Sequence, residues 1–347
     1  GARARDRFGG ETVTARARLV LNATGPWLDH LRRMADPGVK PRLRPTQGVH
    51  LMVRRERLDI RSAVVFPSPV DGRVMFLLPW GAFAYLGTTD TDFTGDPGGV
   101  RHRPEDIDYL LASANGIAPA ARLTRGDVLS SWAGVRPLLA EEEGTSAGQT
   151  SREHEIWRDP SGLLNAGGGK LTTFLSMAGE VVDQAAEVLK EEHGVEAHGA
   201  GSAREPLPGA PSEPWKSFLG RIERAARRVH LPDSTAEQLA RAHGTGGFEV
   251  IERVRERTEL AEPLVPGLPH LRAEVVHAVE KEMALTVEDV LRRRTHVFYQ
   301  APDGGVSAAA KTARWMHEAG VKRSRAAWDE QVAAYARGVR ENRNFDG

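Results

Sequence analysis

The texture of the chain changes once, at residues 196–214. That stretch, EAHGAGSAREPLPGAPSEP, is rich in Gly, Pro, Ser and Ala and poor in apolar residues, which is the composition of a linker. Ahead of it, short apolar runs alternate with polar residues and are punctuated by Gly and Pro, the pattern of strands. Beyond it, apolar residues recur every three or four positions among Ala, Arg and Glu, as in WKSFLGRIERAARRV, LRAEVVHAVEKEM, TVEDVLRRR and AAAKTARWMHEAGV. The expected fold class is therefore α+β, with residues 215–347 forming an all-α C-terminal domain. No internal repeat is visible.

Composition removes several function classes. Lys plus Arg (47) equals Asp plus Glu (47), so no global electrostatic attraction draws the chain to nucleic acid. The local run Arg292, Arg293, Arg294 has Glu288 and Asp289 beside it, which suits local ion pairs on a solvated helix face. The absence of Cys excludes disulfides, thiolate metal sites and a cysteine nucleophile, and fits a reducing compartment. No apolar run approaches the roughly 18 residues of a membrane span. GARARDRFGG has no apolar signal-peptide core, and the chain starts with Gly1 rather than Met. A length of 347 residues suits two domains or three compact units.

Within the first part, ARLVLNATGPW reads as a buried strand ending in a glycine turn, and GVHLMVRR as a strand with Val49, Leu51 and Val53 on one face. SAVVFPSPVDGRVMFLLPW reads as a hairpin around Asp71-Gly72. FAYLGTTDTDF adds a strand, PEDIDYLLASANGIAPAARL (104–122) a helix opened by Pro and acidic residues, and WAGVRPLL and HEIWRDPSGLLNAGG further strands. In LLNAGGGKLTTFLSMAGEVV (163–182) three glycines and Lys170 precede a helix whose Met177, Val181, Val182, Ala185, Val188 and Leu189 form an apolar stripe. Such a loop directs backbone N–H groups and the positive end of a helix dipole at an anion or a polar cofactor edge, or serves only as a tight strand-to-helix turn. It is not a P-loop: Leu164 stands where the first Gly would be required, and Leu171 follows Lys170.

The candidate chemical residues are weak when taken singly. The twelve histidines display no metal-binding spacing. His50, on the strand face opposite Val49, Leu51 and Val53, is by default structural or exposed. Arg136 is either a buried arginine paired with a carboxylate or a guanidinium aimed at a substrate anion. Arg152 lies in a polar stretch where a surface position is the default. Neither G-x-S-x-G nor G-x-G-x-x-G occurs. Trp215, Phe218 and Leu219, followed by Arg221, Arg224, Arg227 and Arg228, suit either a basic helix on lipid or a packed helix with a solvated basic face.

Together, however, NATGPW, TQGVH, RVMFLLPW, LGTTDTDF, AGVRPLL, TSREHEI, GLLNAGGGKLTTF and MALTVEDVLRRRT, in that order from about residue 15 to about residue 300, resemble the FAD-dependent glycerol-3-phosphate dehydrogenases. The resemblance implies a glutathione-reductase-type FAD domain, its remainder at residues 1–38 and 160–195, interleaved with an antiparallel substrate-binding sheet at 39–159. It implies oxidation of sn-glycerol 3-phosphate to dihydroxyacetone phosphate, with electrons passing to FAD and on to a quinone. It also implies a cytoplasmic protein held peripherally on the cytoplasmic membrane. His50 matches a family histidine near the flavin and is the candidate base. Arg136 and Lys170 match phosphate contacts, with Arg152 as a further candidate. Gly25, Gly168, Gly169, Lys170, Leu171, Thr172 and Thr173 match positions along the flavin edge.

One departure is large. The family's opening strand, G-x-G-x-x-G turn and helix, which hold the ADP half of FAD, have no counterpart in these residues, and a further substrate-contacting arginine belongs to that segment. The expectation is that this chain alone binds FAD poorly, is impaired in activity, and exposes strand edges and an apolar face. Three other readings remain: a related FAD-dependent amine or 2-hydroxy-acid oxidase, a non-catalytic fragment or interaction module, and an oxygen-using oxidase of the same family.

Overall fold

A computed structural model describes residues 1–140, 153–198 and 202–346. The strands are β1 (Ala2–Arg5), β2 (Thr12–Ala15), β3 (Leu21–Asn22), β4 (Leu43–Arg54), β5 (Val64–Pro67), β6 (Val74–Trp80), β7 (Phe83–Gly87), β8 (Thr91–Asp92), β9 (Val128–Leu139), β10 (His154–Arg158) and β11 (Leu164–Gly168). The helices ahead of the linker are α1 (Leu28–Ala35), α2 (Pro104–Ile117) and α3 (Phe174–His193). Those beyond it are α4 (Trp215–Arg228), α5 (Asp233–His243), α6 (Gly247–Glu256), α7 (Arg272–Lys281), α8 (Val297–Gln300), α9 (Val306–Glu318) and α10 (Arg325–Asn342). The class is α+β, with strands confined to the first part of the chain and helices filling the last.

The chain divides into two compact units: Gly1–Val49, Thr88–Arg101 and Ala133–Glu205 form one, and His50–Gly87, His102–Trp132 and Pro206–Gly347 the other. In the first unit, β11 pairs antiparallel with β10 and parallel with β3, with Leu164 opposite Leu21 and Asn165 opposite Asn22. A polar network ties this small sheet together. Asn22 Nδ2 donates to Asn165 Oδ1 (2.9 Å), Asn165 Nδ2 donates to Asp159 Oδ2 (3.0 Å), and Asp159 receives Arg32 Nε and Nη2 at 2.8 and 3.0 Å. Arg32 Nη1 reaches Asp29 Oδ1 (2.8 Å), and Asp29 Oδ2 accepts the backbone N–H groups of Arg42 and Leu43 at the start of β4. Every one of these side chains is buried, so each donor must find its acceptor here.

In the second unit, β5, β6, β7 and the later half of β4 form an antiparallel sheet. The alternating residues Leu51, Val53, Met75, Leu77 and Leu86 are buried, and Ile107, Leu110 and Ala114 of α2 are buried as well. Met52 is also fully buried, so both faces of β4 are covered here rather than the one face expected from its alternation. Asp71-Gly72 does mark the β5–β6 hairpin, but the connection is the six-residue loop 68–73, closed by Ser68 N–H to Arg73 O (2.7 Å). Helix α2 ends at Ile117, earlier than the expected 122, because Asn115 turns back to bond both backbone groups of Leu123.

The C-terminal helices bury two apolar clusters. Phe218, Ile222 and Ala226 of α4 pack with Leu239, Val250, Val254 and Val276, and Val275, Leu291, Phe298, Trp315, Met316, Trp328 and Tyr335 form the second. Helix α4 is thus a packed helix: Phe218 is fully buried, while Arg221 pairs with Glu213 and Arg227 with Asp233. The arginine run resolves likewise into ion pairs, Arg292 to Glu288, Arg293 to Asp289 and Arg294 to Glu282. Among the described residues, no helix is long and apolar enough to cross a membrane.

Candidate active site

In the first unit, Arg136 of β9 has its guanidinium anchored by Asp90 Oδ1 (3.2 Å), Thr88 Oγ1 (3.0 Å) and Thr89 O (3.1 Å). The Asp90 side chain is 6% exposed and that of Arg136 22%, so the acid is buried and the base reaches the surface. A Cβ at Gly48 would overlap this guanidinium, with Cζ only 2.6 Å away. Thr89 Oγ1 in turn accepts the Val49 N–H at 3.0 Å. Three sequence stretches, TQGVH, GTTDTD and AGVRPL, are therefore one packed cluster: the glycine makes room, the threonines and the aspartate hold, and the arginine presents its fork. The structure shows the carboxylate pair, on a side chain that is only partly buried.

In the second unit, His50 of β4 lies opposite Gly87 of β7 in the antiparallel register. Its ring stacks on Trp132 with centroids 5.1 Å apart and planes 8° apart, and meets Tyr85 edge-on at 6.3 Å. Trp132 is backed by Tyr299 at 5.3 Å, and Ser130 Oγ donates to Tyr299 O (2.9 Å), so α8 braces this strand. The histidine is half-buried, in a wall of aromatic rings rather than on an open strand face.

The glycine-rich loop ends β11 in the first unit. Gly168 and Gly169 adopt φ of +76° and +86°, conformations that L side chains rarely take. A Cβ on Gly168 would run into the backbone oxygen of Glu153, and one on Gly169 would stand 2.5 Å from Met177 Sδ. Lys170 then caps a 3-10 turn, Leu171–Thr173, that leads into α3, and Thr173 Oγ1 bonds back to Lys170 O (3.0 Å). Gly25 follows β3, also with positive φ (+56°), and opens the 3-10 helix Gly25–Trp27. Among the described residues, and beyond its chain neighbours, no heavy atom lies within 4 Å of where its Cβ would be. Because β3 and β11 run parallel and side by side, both glycine turns leave the carboxyl ends of adjacent parallel strands, the usual seat of a ligand in such sheets. Leu171, Thr172 and Thr173 are exposed there, with Leu171 87% accessible.

The stripe expected on α3 is only partly covered. Val181 is buried, Met177, Ala185, Val188 and Leu189 are half-buried, and Val182, Phe174 and Leu175 are 55%, 48% and 43% exposed. Arg152 lies outside the described residues. The structure thus sets Gly25 and the 168–173 turn beyond the ends of paired strands, and packs Gly48 against Arg136 and Gly87 against His50. Roles for Gly48, Gly87, Asp90 and Trp132 did not emerge from the sequence. The one available signal was that both glycines sit inside strand motifs, where glycine marks a close approach.

Residues 2–185 match the family described as FAD dependent oxidoreductase, and residues 202–330 match the C-terminal domain of alpha-glycerophosphate oxidase. The chain is 34% identical over 303 residues to an aerobic glycerol-3-phosphate dehydrogenase of Staphylococcus haemolyticus, covering 86% of this chain and 54% of that protein. It is 35% identical over 283 residues to the aerobic glycerol-3-phosphate dehydrogenase of Bacillus subtilis, covering 80% and 50%. It therefore spans about half the length of these relatives. Among solved structures, a glycerol-3-phosphate dehydrogenase from Bacillus halodurans complexed with FAD superposes with a TM-score of 0.81 at 32% identity, over 99% of this chain and 65% of that one.

Proposed function

This chain belongs to the FAD dependent oxidoreductase family, and from that premise we propose that its reaction is the oxidation of sn-glycerol 3-phosphate to dihydroxyacetone phosphate with FAD as cofactor. The observation that carries this reading is the seating of one imidazole and one guanidinium, each against a glycine: His50 at Gly87 and Arg136 at Gly48. Relatives named glycerol-3-phosphate dehydrogenases supply the substrate. Oxidising a secondary alcohol requires a base for the hydroxyl proton, and a phosphate requires a planar cationic donor.

The residues present suit a flavin. Gly25 leaves open space, Gly168 and Gly169 allow close backbone approach, and the start of α3 offers a positive dipole end. In this reading Gly25, Gly168, Gly169 and the 170–173 turn hold the ring and ribityl edge. Bound there, FAD supplies the two-electron acceptor that the side chains of the chain lack. His50 takes the proton from the C2 hydroxyl, its ring plane fixed by Trp132. Arg136 holds the phosphate, Asp90 and Thr88 keeping its fork in place. Lys170 adds a second cation on the substrate side. Quinone as the onward acceptor and a peripheral seat on the cytoplasmic membrane belong to the same reading.

The test is anaerobic bleaching of flavin absorbance in the FAD-loaded protein. Bleaching by glycerol 3-phosphate, and not by glycine or lactate, is the expected result. Bleaching by an amine or a 2-hydroxy acid alone would move the assignment to a related oxidase. A flavin-loaded protein bleached by none of these compounds would favour an interaction module.

A further inference from the structure

The C-terminal helices bury titratable side chains for which the proposed reaction has no use. His243 ends α5, His277 lies on α7, and Glu282 follows the last turn of α7. One ligand atom from each lies within 4.8 Å of the other two. His243 Nδ1 is 3.4 Å from Glu282 Oε1, and His277 Nε2 is 3.8 Å from the same oxygen. The two imidazoles meet edge to face with centroids 5.2 Å apart, and their side chains are only 5% and 8% exposed.

The surrounding groups orient this trio. Glu274, fully buried on α7, stands 3.4 Å from His243 Nε2. With a metal bound, the Nε2 proton would stay with that carboxylate and Nδ1, 3.4 Å from Glu282 Oε1, would carry the ion, the carboxylate–histidine arrangement found behind metal ligands. His277 Nδ1 lies 4.0 Å from Glu249 Oε2 and is buried without a hydrogen-bond partner among the described residues. Arg294 Nε sits in ion-pair range of Glu282 Oε2 at 3.2 Å, while Oε1 is the oxygen that both imidazoles approach.

We propose that His243, His277 and Glu282 bind a divalent transition metal, with Zn2+ the best match to two imidazoles and one carboxylate. The ion would clamp the end of α5 to the end of α7, with Glu274 and Glu249 as positioning residues and water completing the coordination. His243 and His277 come from different helices, so no short-range spacing in the sequence announces the site.

The experiment uses the full chain, without a histidine tag, stripped by chelator and titrated with Zn2+ by calorimetry and with Co2+ by visible absorption. The expected result is saturable binding of one ion per chain, the intense visible bands of four- or five-coordinate Co2+, and a raised melting temperature. Glu282→Gln and His277→Gln, checked for folding by circular dichroism, lose the bands, and Glu274→Gln weakens binding by about 10- to 100-fold. Exposed His30→Gln leaves binding unchanged. If the wild-type chain shows no saturable binding, or if both ligand variants keep it, the proposal fails and the cluster is only a set of buried imidazole–carboxylate pairs.

Discussion

His50 fills the space in which a side chain at Gly87 would stand: a methyl group there would lie 2.6 Å from Nε2 and closer still to Cδ2. Gly87→Ala therefore has to push the imidazole off Trp132 or spread β4 from β7. Overpacking of this kind costs about 1–3 kcal/mol. The larger expected effect is on turnover, since a misplacement of about 1 Å costs on the order of 100-fold. In the flavin-loaded protein, Gly87→Ala and His50→Asn should both lower kcat with little change in KM for glycerol 3-phosphate. A Gly87→Ala enzyme with normal kcat would remove His50 from the role of base.

Arg136 separates binding from stability. Arg136→Met removes charge-assisted hydrogen bonds of about 1.5–3 kcal/mol each, so KM for glycerol 3-phosphate should rise by at least about tenfold while kcat falls less. Arg136→Lys keeps the charge but loses the planar fork and should recover only part of the affinity. Arg136→Met also takes a cation from buried Asp90, so urea midpoints should fall and Asp90→Asn in the same chain should restore some of that loss. If the double variant is no more stable than Arg136→Met alone, the Asp90–Arg136 pair is not what holds this loop.

The glycine-rich turn was legible for a simple reason: glycines at consecutive positions beside Lys170 mark a backbone constraint that a single sequence exposes. The pairings Gly48 with Arg136 and Gly87 with His50 were not, because each joins residues from separate strands and depends on register. The stripe on α3 was read correctly as apolar, yet periodicity gives which face is apolar and not what lies against it, and Val182 and Phe174 remain exposed. Helix α4 illustrates the reverse. Its sequence favoured a packed helix with a solvated basic face over a seat on lipid, and Phe218, Ile222 and Ala226 lie in the helical core. The buried network through Asn22, Asn165, Asp159 and Arg32 had no sequence signal at all, since isolated polar residues in strands look like surface positions.

That network predicts how the first unit responds to acid. The Arg32 guanidinium, bonded to Asp159 through two nitrogens, holds the Asp159 carboxyl below its ordinary value against the opposing effect of burial. A folded-state pKa below the unfolded value of about 3.9 contributes stability that is full above that value and is lost as pH falls through the folded pKa. Asp159→Asn should therefore destabilise at pH 7 by about 3 kcal/mol, since Arg32 is left buried with only Asp29 as its anion. The gap between wild type and variant should narrow as urea melts are repeated from pH 5 down towards pH 3. A gap that stays constant across that range would mean the carboxylate charge is not what stabilises the network.

Gly25 and Gly168 have the same backbone requirement and opposite surroundings, which makes them a matched test of where the flavin lies. Both have positive φ, +56° and +76°, so Ala at either carries a conformational cost of about 1 kcal/mol. At Gly168 the new methyl would also collide with the Glu153 backbone oxygen, which cannot move without breaking the β10–β11 pairing. Strain and overpacking together should destabilise Gly168→Ala by about 3 kcal/mol. At Gly25 the methyl meets no heavy atom of the described residues beyond its chain neighbours within 4 Å, so the apoprotein should lose only the conformational term. If that empty space is where the cofactor approaches the backbone, Gly25→Ala should weaken FAD binding much more than it lowers the melting temperature of the apoprotein, whereas Gly168→Ala should lower both. Fluorescence titration with FAD and thermal melts of the apoprotein separate the two effects. Unchanged FAD affinity in Gly25→Ala would place the flavin away from the carboxyl end of β3.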